Sequence, residues 1–233
     1  MKALILAGGK GTRLAPFTAT VPKPLFPLGD RTILEIVVGQ LKRAGVKDMV
    51  FAVGYLAELV EAYFGNGRKF GVKISYARET RPLGTAGPIK ALKGERSDFL
   101  VMNGDVLADM DLGDLVKAHK KAGSIATICC YRKKQRSSLG MIEHDRDGYL
   151  TDYHEKPEYT HIVSTGIYCF SPEALKFIKK GEHLDLPELM IRLKDKGMKV
   201  KVFMMKGDWF DIGTPEDYSR ALDFWEKSGR KRI

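Results

Sequence analysis

Short apolar runs alternate with stretches of helical periodicity along the first 131 residues, and this alternation constrains the fold more than any other feature. Leu4–Ala7, Met49–Val53, Val72–Ala77, Phe99–Asn103 and Ile125–Tyr131 read as strands. Between them, Ile33, Leu34, Ile36, Val37 and Leu41 form a broad apolar helical face, capped by Asp30 and ended by Ala44-Gly45. Ala57–Phe64 and Leu112–Ala122 read as helices, and another is expected after Gly84. Strands alternating with helices make βαβ units, and βαβ units build a mainly parallel sheet. The expected fold class is therefore α/β, a Rossmann-like mixed sheet flanked by helices. Beyond residue 131 the texture changes. Gly140–Glu143 and Tyr149–Tyr153 predict a hairpin around Asp145–Gly148, followed by a strand over Ile162–Phe170. Helices are expected at Pro172–Ile178, Leu186–Leu193 and Pro215–Trp225, with a strand at Val200–Met204 between the last two. No repeat or linker divides the chain. The expectation is a single domain over 1–233, with a first half (1–131) and a second half (132–233) packed on it.

In a parallel sheet, ligands bind outside the carboxyl ends of the strands. Two features fall there. The first strand breaks into Gly8-Gly9-Lys10-Gly11-Thr12-Arg13, and Phe99–Asn103 runs into Gly104-Asp105. Glycines let a ligand approach the backbone, and exposed amides in such a turn make an anion nest. The loop lacks the Gly-Lys-Ser/Thr ending of a P-loop, and Leu14 stands where a dinucleotide fingerprint needs a third glycine. Alone, such a loop is more often a plain strand-to-helix turn.

Lys plus Arg is 39 against 29 Asp plus Glu, a net charge of +10. That excess suits anionic partners, either nucleic acid or phosphorylated small molecules. The basic runs Arg132–Arg136 and Arg230–Arg232 carry no interleaved aromatics, so no stacking surface for single strands is expected, and Arg132–Arg136 reads as a solvated loop. Cys129, Cys130 and Cys169 are odd in number and lack a Cys-x-x-Cys pair, so neither disulfides nor a zinc site are expected. No apolar stretch reaches the ~20 residues of a membrane span, and Met1-Lys2 leads directly into the first strand without a signal-peptide pattern. A cytoplasmic location with no membrane partner is expected.

Several ordered motifs together resemble the sugar-1-phosphate nucleotidyltransferases, or NDP-sugar pyrophosphorylases. They are Leu6–Leu14, Val21-Pro22-Lys23-Pro24-Leu25, Pro82–Gly87, Asn103-Gly104-Asp105, Glu155-Lys156-Pro157, Ser164–Tyr168 and Trp209–Thr214. The resemblance covers nearly the whole chain and implies the nucleotide-diphospho-sugar transferase type of fold, with 1–131 as the nucleotide-binding half and 132–233 as the sugar-phosphate-binding half. It implies attack by a sugar-1-phosphate oxygen on the α-phosphorus of a nucleoside triphosphate, with release of pyrophosphate. By this resemblance, Arg13, Lys23 and Asp105 are the catalytic residues. Leu6, Ala7, Gly8, Gly9, Gly11, Thr12, Arg13, Lys23, Glu79, Gly84 and Thr85 bind the nucleotide. Gly140, Glu155, Lys156, Thr165 and Gly166 bind the sugar phosphate, and Asp105 and Asp211 hold Mg2+. Nucleic acid is not expected as a partner, and homo-oligomerisation is left open. Relatives that keep the fold without catalysis would be expected to lose Arg13, Lys23 or the carboxylates; all are present here.

Glu79 bears on the base. Ionised Glu only accepts hydrogen bonds, and guanine offers two adjacent donors where uracil and thymine offer one. Pro82–Gly87 is also similar to the GDP-mannose pyrophosphorylases and the heptose-1-phosphate guanylyltransferases. GTP is therefore placed first, with mannose-1-phosphate or a related hexose or heptose as acceptor. UTP with glucose-1-phosphate or N-acetylmuramate-1-phosphate is the alternative, because short uridylyltransferases carry a comparable Glu. Ser164 and Thr165 depart from the family's Asn-Ala string, which leaves the sugar open. No hexapeptide repeat follows the last expected helix, so a chain without a C-terminal β-helix is expected.

Overall fold

A computed structural model describes residues 1–229; the Arg230–Arg232 run lies outside the described residues. The elements in order are β1 (Lys2–Leu6), β2 (Pro27–Leu28), β3 (Arg31–Thr32), α1 (Ile33–Arg43), β4 (Asp48–Val53), α2 (Ala57–Phe64), β5 (Lys73–Arg78), β6 (Phe99–Asn103), β7 (Val106–Ala108), α3 (Leu112–Ala122) and β8 (Ala126–Arg136). They continue with β9 (Met141–His144), β10 (Leu150–His154), β11 (Glu158–Phe170), α4 (Leu186–Asp195), β12 (Val200–Met204), β13 (Trp209–Asp211) and α5 (Pro215–Phe224). The main sheet has seven strands in the order β12-β8-β11-β6-β1-β4-β5. β6, β1, β4 and β5 run parallel, β12 runs parallel to β8, and β11 is antiparallel to both its neighbours. The mixed, mainly parallel sheet agrees with the expectation, and one sheet runs through both halves of the chain.

Alternation decides which face each residue serves. Ala3, Ile5, Leu100 and Met102 face α1, α2 and α3, while Leu4, Phe99 and Val101 face α4 and the short helices Gly87–Leu92 and Pro172–Phe177. Both faces are covered, so β1 and β6 read as continuous apolar runs. A third cluster joins Leu14, Phe26, Ile33 and Leu107 to Ile212, Ala221 and Trp225. It ties the glycine loop to α5 across nearly the whole length of the chain.

Two local readings are corrected. Thr32, not Asp30, caps α1. The Glu35 amide donates to Thr32 Oγ1 (3.2 Å) and the Thr32 amide donates to Glu35 Oε2 (2.7 Å), a reciprocal capping box that begins the helix after the β2–β3 turn. Arg132–Arg136 is strand rather than loop: β8 continues through it, with Arg132 opposite Ile162 and Arg136 opposite Glu158. Pairing with the long β11 overrides the low strand propensity of a basic run. The segment after Gly84 forms only the short helix Gly87–Leu92, since Lys93-Gly94 ends it at once. The cysteines are free and buried.

Candidate active site

β1 delivers the glycine loop. The Ala7 amide donates to Ala52 O (2.8 Å), closing the strand, and the chain then leaves the sheet. Among the described residues, the amides of Gly8, Gly9, Lys10 and Gly11 donate to no protein acceptor. Four consecutive free N–H groups at a strand end form a ready anion cradle. Two glycines are required by geometry. A Cβ at Gly8 would lie 3.1 Å from the Gly54 nitrogen, and Gly11 has φ +60° and a Cβ there would lie 2.9 Å from Thr18 Cγ2.

Pro22 and Pro24 flank Lys23 in a short helical turn, Lys23–Leu25, that buries the lysine to 7% exposure. Its Nζ sits 2.5 Å from Asp105 Oδ2. Asp105 follows β6, whose neighbour Gly104 donates its amide to Leu6 O (2.9 Å). Asp211 reaches the same place through β13, which pairs antiparallel with β7 and sets Asp211 opposite Val106; the Ile212 amide donates to Asp105 O (3.1 Å). Burial and the neighbouring Asp105 charge push the Asp211 carboxyl above its ordinary range, opposed by Lys23 and Arg13. The Arg13 guanidinium lies over Gly213, where a Cβ would come within 3.0 Å of Nη1. A side chain at 213 would push the Arg13 guanidinium aside, and from its place over Gly213 the Arg13 charge acts on Asp211.

These groups line three adjoining recesses along the strand carboxyl ends. The largest, about 600 Å³, runs from Gly8 and Gly9 past Glu79 and Gly84 to Asn103 and Asp105. The second, about 240 Å³, lies between the loop, Arg13, Lys23 and Asp105. The third, about 190 Å³, shares Arg13 and continues to Asp211, Tyr131, Lys133, Trp209 and Arg220. In the first, the Leu83 amide donates to Glu79 Oε2 (3.0 Å), while Oε1 lies over Gly8. Burial raises the Glu79 carboxyl, and the Leu83 bond partly offsets it.

The residues expected for the nucleotide thus converge: Leu6, Ala7, Gly8, Gly9, Gly11, Thr12, Arg13, Lys23, Glu79, Gly84 and Thr85 line the first two recesses, and Asp105, expected for catalysis and the metal, lines both. Thr85 also has a second task, since its hydroxyl accepts from the Leu186 amide (2.8 Å) and bonds Asp185, docking this loop onto the start of α4. The residues expected for the sugar phosphate are more dispersed. Thr165 is buried with its hydroxyl donating to Cys129 O (2.9 Å), so it shapes the wall rather than offering that hydroxyl. Gly166 (φ +78°) packs on Asn103. Gly140, Glu155 and Lys156 lie outside the three recesses, at the foot of the β9–β10 hairpin. There Glu155 and Lys156 side chains are 62% and 53% exposed with Nζ 3.7 Å from Oε1. Lys156 holds φ +46°, an uncommon backbone state for a side-chain residue. Lys133 and Asn103 line the trough and were not singled out as site residues in the sequence. Continuing the β8 alternation from Cys129 and Tyr131 would have found Lys133, and the Asn-Gly-Asp motif itself contained Asn103.

The carboxylate pair suits a hard divalent ion. The donors are oxygen only, the two side chains repel one another, and among the described residues no third His, Cys, Asp or Glu converges on them. Magnesium takes one or two carboxylates and completes its shell with phosphates and water.

The chain matches the Nucleotidyl transferase family over residues 2–228. It belongs to that family. It is 37% identical over 95% of its length to UTP--glucose-1-phosphate uridylyltransferase of Synechocystis, covering 62% of that protein. It is 35% identical over its whole length to the mannose-1-phosphate guanylyltransferase catalytic subunit beta of Danio rerio, covering 66%. The chain therefore spans less than two thirds of the length of these relatives. Among solved structures, HddC from Yersinia pseudotuberculosis complexed with GMP-PN superposes with a TM-score of 0.75 at 26% identity, over 96% of this chain and 99% of that one. The fold expectation is thereby met.

Proposed function

We propose that this chain transfers a nucleotidyl group from a nucleoside triphosphate to a sugar-1-phosphate, releasing pyrophosphate and forming an NDP-sugar. The observation that carries the reading is the row of unpartnered amides from Gly8 to Gly11 facing Lys23 and the Asp105–Asp211 pair. A phosphoryl-type transfer between two anions needs positioning and charge compensation more than covalent help. The glycine amides cradle the phosphates, and Arg13, with its planar fork, grips the end that departs. Lys23 places its charge near the α-phosphate. A sugar-1-phosphate oxygen forms the new bond to the α-phosphorus, and the α–β bond breaks with its electron pair leaving on pyrophosphate. Asp105 and Asp211 would hold Mg2+, which supplies charge neutralisation of the phosphates. Lys156 and Glu155 present a cation and an acceptor to the sugar phosphate from the hairpin foot.

For the base, GTP is the first choice. Glu79 offers carboxylate acceptors in the largest recess, and both a guanylyltransferase relative and a GMP-PN-bound structural neighbour support it. UTP is the second reading, supported by the uridylyltransferase relative. Mannose-1-phosphate leads the acceptors. No described helix is long and apolar enough to cross a membrane, and the buried free thiols suit the cytoplasm, where we place the reaction. The substrates are small molecules rather than nucleic acid. A pyrophosphate-release screen of GTP, UTP, dTTP, ATP and CTP against a panel of sugar-1-phosphates tests the reading. Release is expected to be greatest with GTP; preference for UTP would move the chain to the second reading.

A further inference from the structure

A free N–H group serves an anion well only if its peptide plane is held from behind; otherwise ordering the loop is an entropic cost of binding. In a trans peptide the carbonyl of one residue and the N–H of the next point in opposite directions, so fixing the carbonyl aims the amide. Two carbonyls of the glycine loop are fixed in this way. Gly8 O accepts from the Tyr55 amide (3.2 Å), beyond the end of β4. That approach needs a bare position 54, where a Cβ would lie 3.0 Å from Gly8 O. Gly11 O accepts twice, from the Leu14 amide (2.9 Å) and from Thr18 Oγ1 (3.0 Å). The amides on the far side of these two planes belong to Gly9 and Thr12. Among the described residues, neither donates to a protein acceptor, and both residues line the phosphate recess.

The two supports are joined to each other. Thr18 is buried to 3% exposure in the short helical turn Phe17–Ala19 and lines none of the three recesses. Tyr55 borders the largest recess and spans to the same turn, its hydroxyl donating to Ala19 O (3.2 Å). Contacts through Gly8, Tyr55, Ala19, Thr18 and Gly11 thus close a ring around the loop. We propose that Thr18 and Tyr55 are positioning residues: they preset the Gly9 and Thr12 amides for the triphosphate, and Thr18 does so without touching it. The identity of the anion rests on the nucleotidyl-transfer reading. A cradle set before binding serves the bound triphosphate and its transition state alike, so its loss appears in KM for the nucleotide and not in kcat. Thr18→Val removes the hydroxyl at nearly constant shape, and Gly11 O keeps the Leu14 amide, so no carbonyl is orphaned.

The test uses the full isotope-labelled chain, with Mg2+ and inorganic tripolyphosphate as probe, followed by amide resonances. Those of Gly9 and Thr12 should shift as the probe binds. Thr18→Val should weaken the probe by about tenfold and the more exposed Tyr55→Phe by about threefold, each the loss of one hydrogen bond. Thr18→Ser keeps the hydroxyl and should return to within about twofold of the native chain. In turnover, KM for the nucleotide should rise by the same factors, with kcat and KM for sugar-1-phosphate staying within about twofold. Native probe affinity in Thr18→Val would overturn the proposal, as would a fall in kcat at unchanged nucleotide KM. If Thr18→Val does not fold, Tyr55→Phe decides: native affinity there overturns the proposal, and the smaller loss upholds it. Gly9 and Thr12 amides that do not move with the probe overturn it as well. If the native chain binds the probe through these amides but releases no pyrophosphate from any nucleotide, the positioning role stands and the nucleotidyl-transfer reading falls. Pyrophosphate release by Thr18→Val at native KM does the reverse.

Discussion

The rim of the sheet around the glycine loop and the arm formed by the far ends of β8 and β11 with the β9–β10 hairpin are built on opposite principles. At the rim, Lys23 is buried on Asp105 and Asp211 stands beside it, half-buried, through β7–β13, with the exposed Arg13 lying over Gly213. On the arm, Leu139, Ile142, Tyr149, Leu150 and Ile162 stand exposed, and Glu155 and Lys156 face solvent. On the proposed reading, the rim is preorganised for a chemistry every triphosphate shares, and the arm presents its groups on an open surface, where recognition of one sugar would vary without disturbing the core.

The sharpest way to break this comparison is at the rim. Asp105→Ala should lower turnover by about 10²–10³-fold, the range seen when one preorganised electrostatic group is removed. Circular dichroism should remain native; a loss under about threefold in steady-state turnover would mean the rim is not where the chemistry happens. Next in size is the arm. Lys156→Ala should raise KM for sugar-1-phosphate by about tenfold and leave KM for the nucleotide unchanged. If both constants move together, the two regions are not separate in function. A comparable effect is expected for Glu79→Gln, which should lower the GTP-to-UTP ratio of kcat/KM by about tenfold, since it replaces an acceptor pair with one acceptor and one donor. An unchanged ratio removes Glu79 from base recognition.

The smallest effect is on stability and has the opposite sign from activity. Burial and Asp105 hold the Asp211 carboxyl above its ordinary range, so the folded chain binds that proton more tightly than the unfolded chain. Without bound metal, this costs stability as pH rises from about 4 through the raised value. Asp211→Asn removes the cost. Near neutral pH and in chelator, its Tm should exceed that of the native chain while turnover is lost. A lower Tm would mean the carboxylate is a structural anchor instead.

The same contrast explains what the sequence made legible. Strands buried on both faces, such as β1, β4 and β6, are continuous apolar runs, and their carboxyl ends located the glycine loop and Asp105 directly. The proximity of Asp105 and Asp211 was not legible from periodicity, because β7 and β13 have only three residues each and pair across a hundred positions. Lys133 was hidden for a different reason. A run of basic residues reads as loop, and only pairing with β11 makes it strand. The hydrogen bond of Thr165 was not legible either, because a threonine's burial depends on its register: Oγ1 donates to Cys129 O in the neighbouring strand.

The account turns on Arg13, which joins the phosphate recess to the carboxylate pair. The most direct test is pyrophosphate release from GTP and mannose-1-phosphate, measured side by side for the native chain and Arg13→Ala, both shown to be folded. The account predicts release by the native chain and a loss of about 10²–10³-fold in the variant. A folded native chain that releases no pyrophosphate from any of the five nucleotides with any sugar-1-phosphate, or an Arg13→Ala variant that works at the native rate, would contradict it.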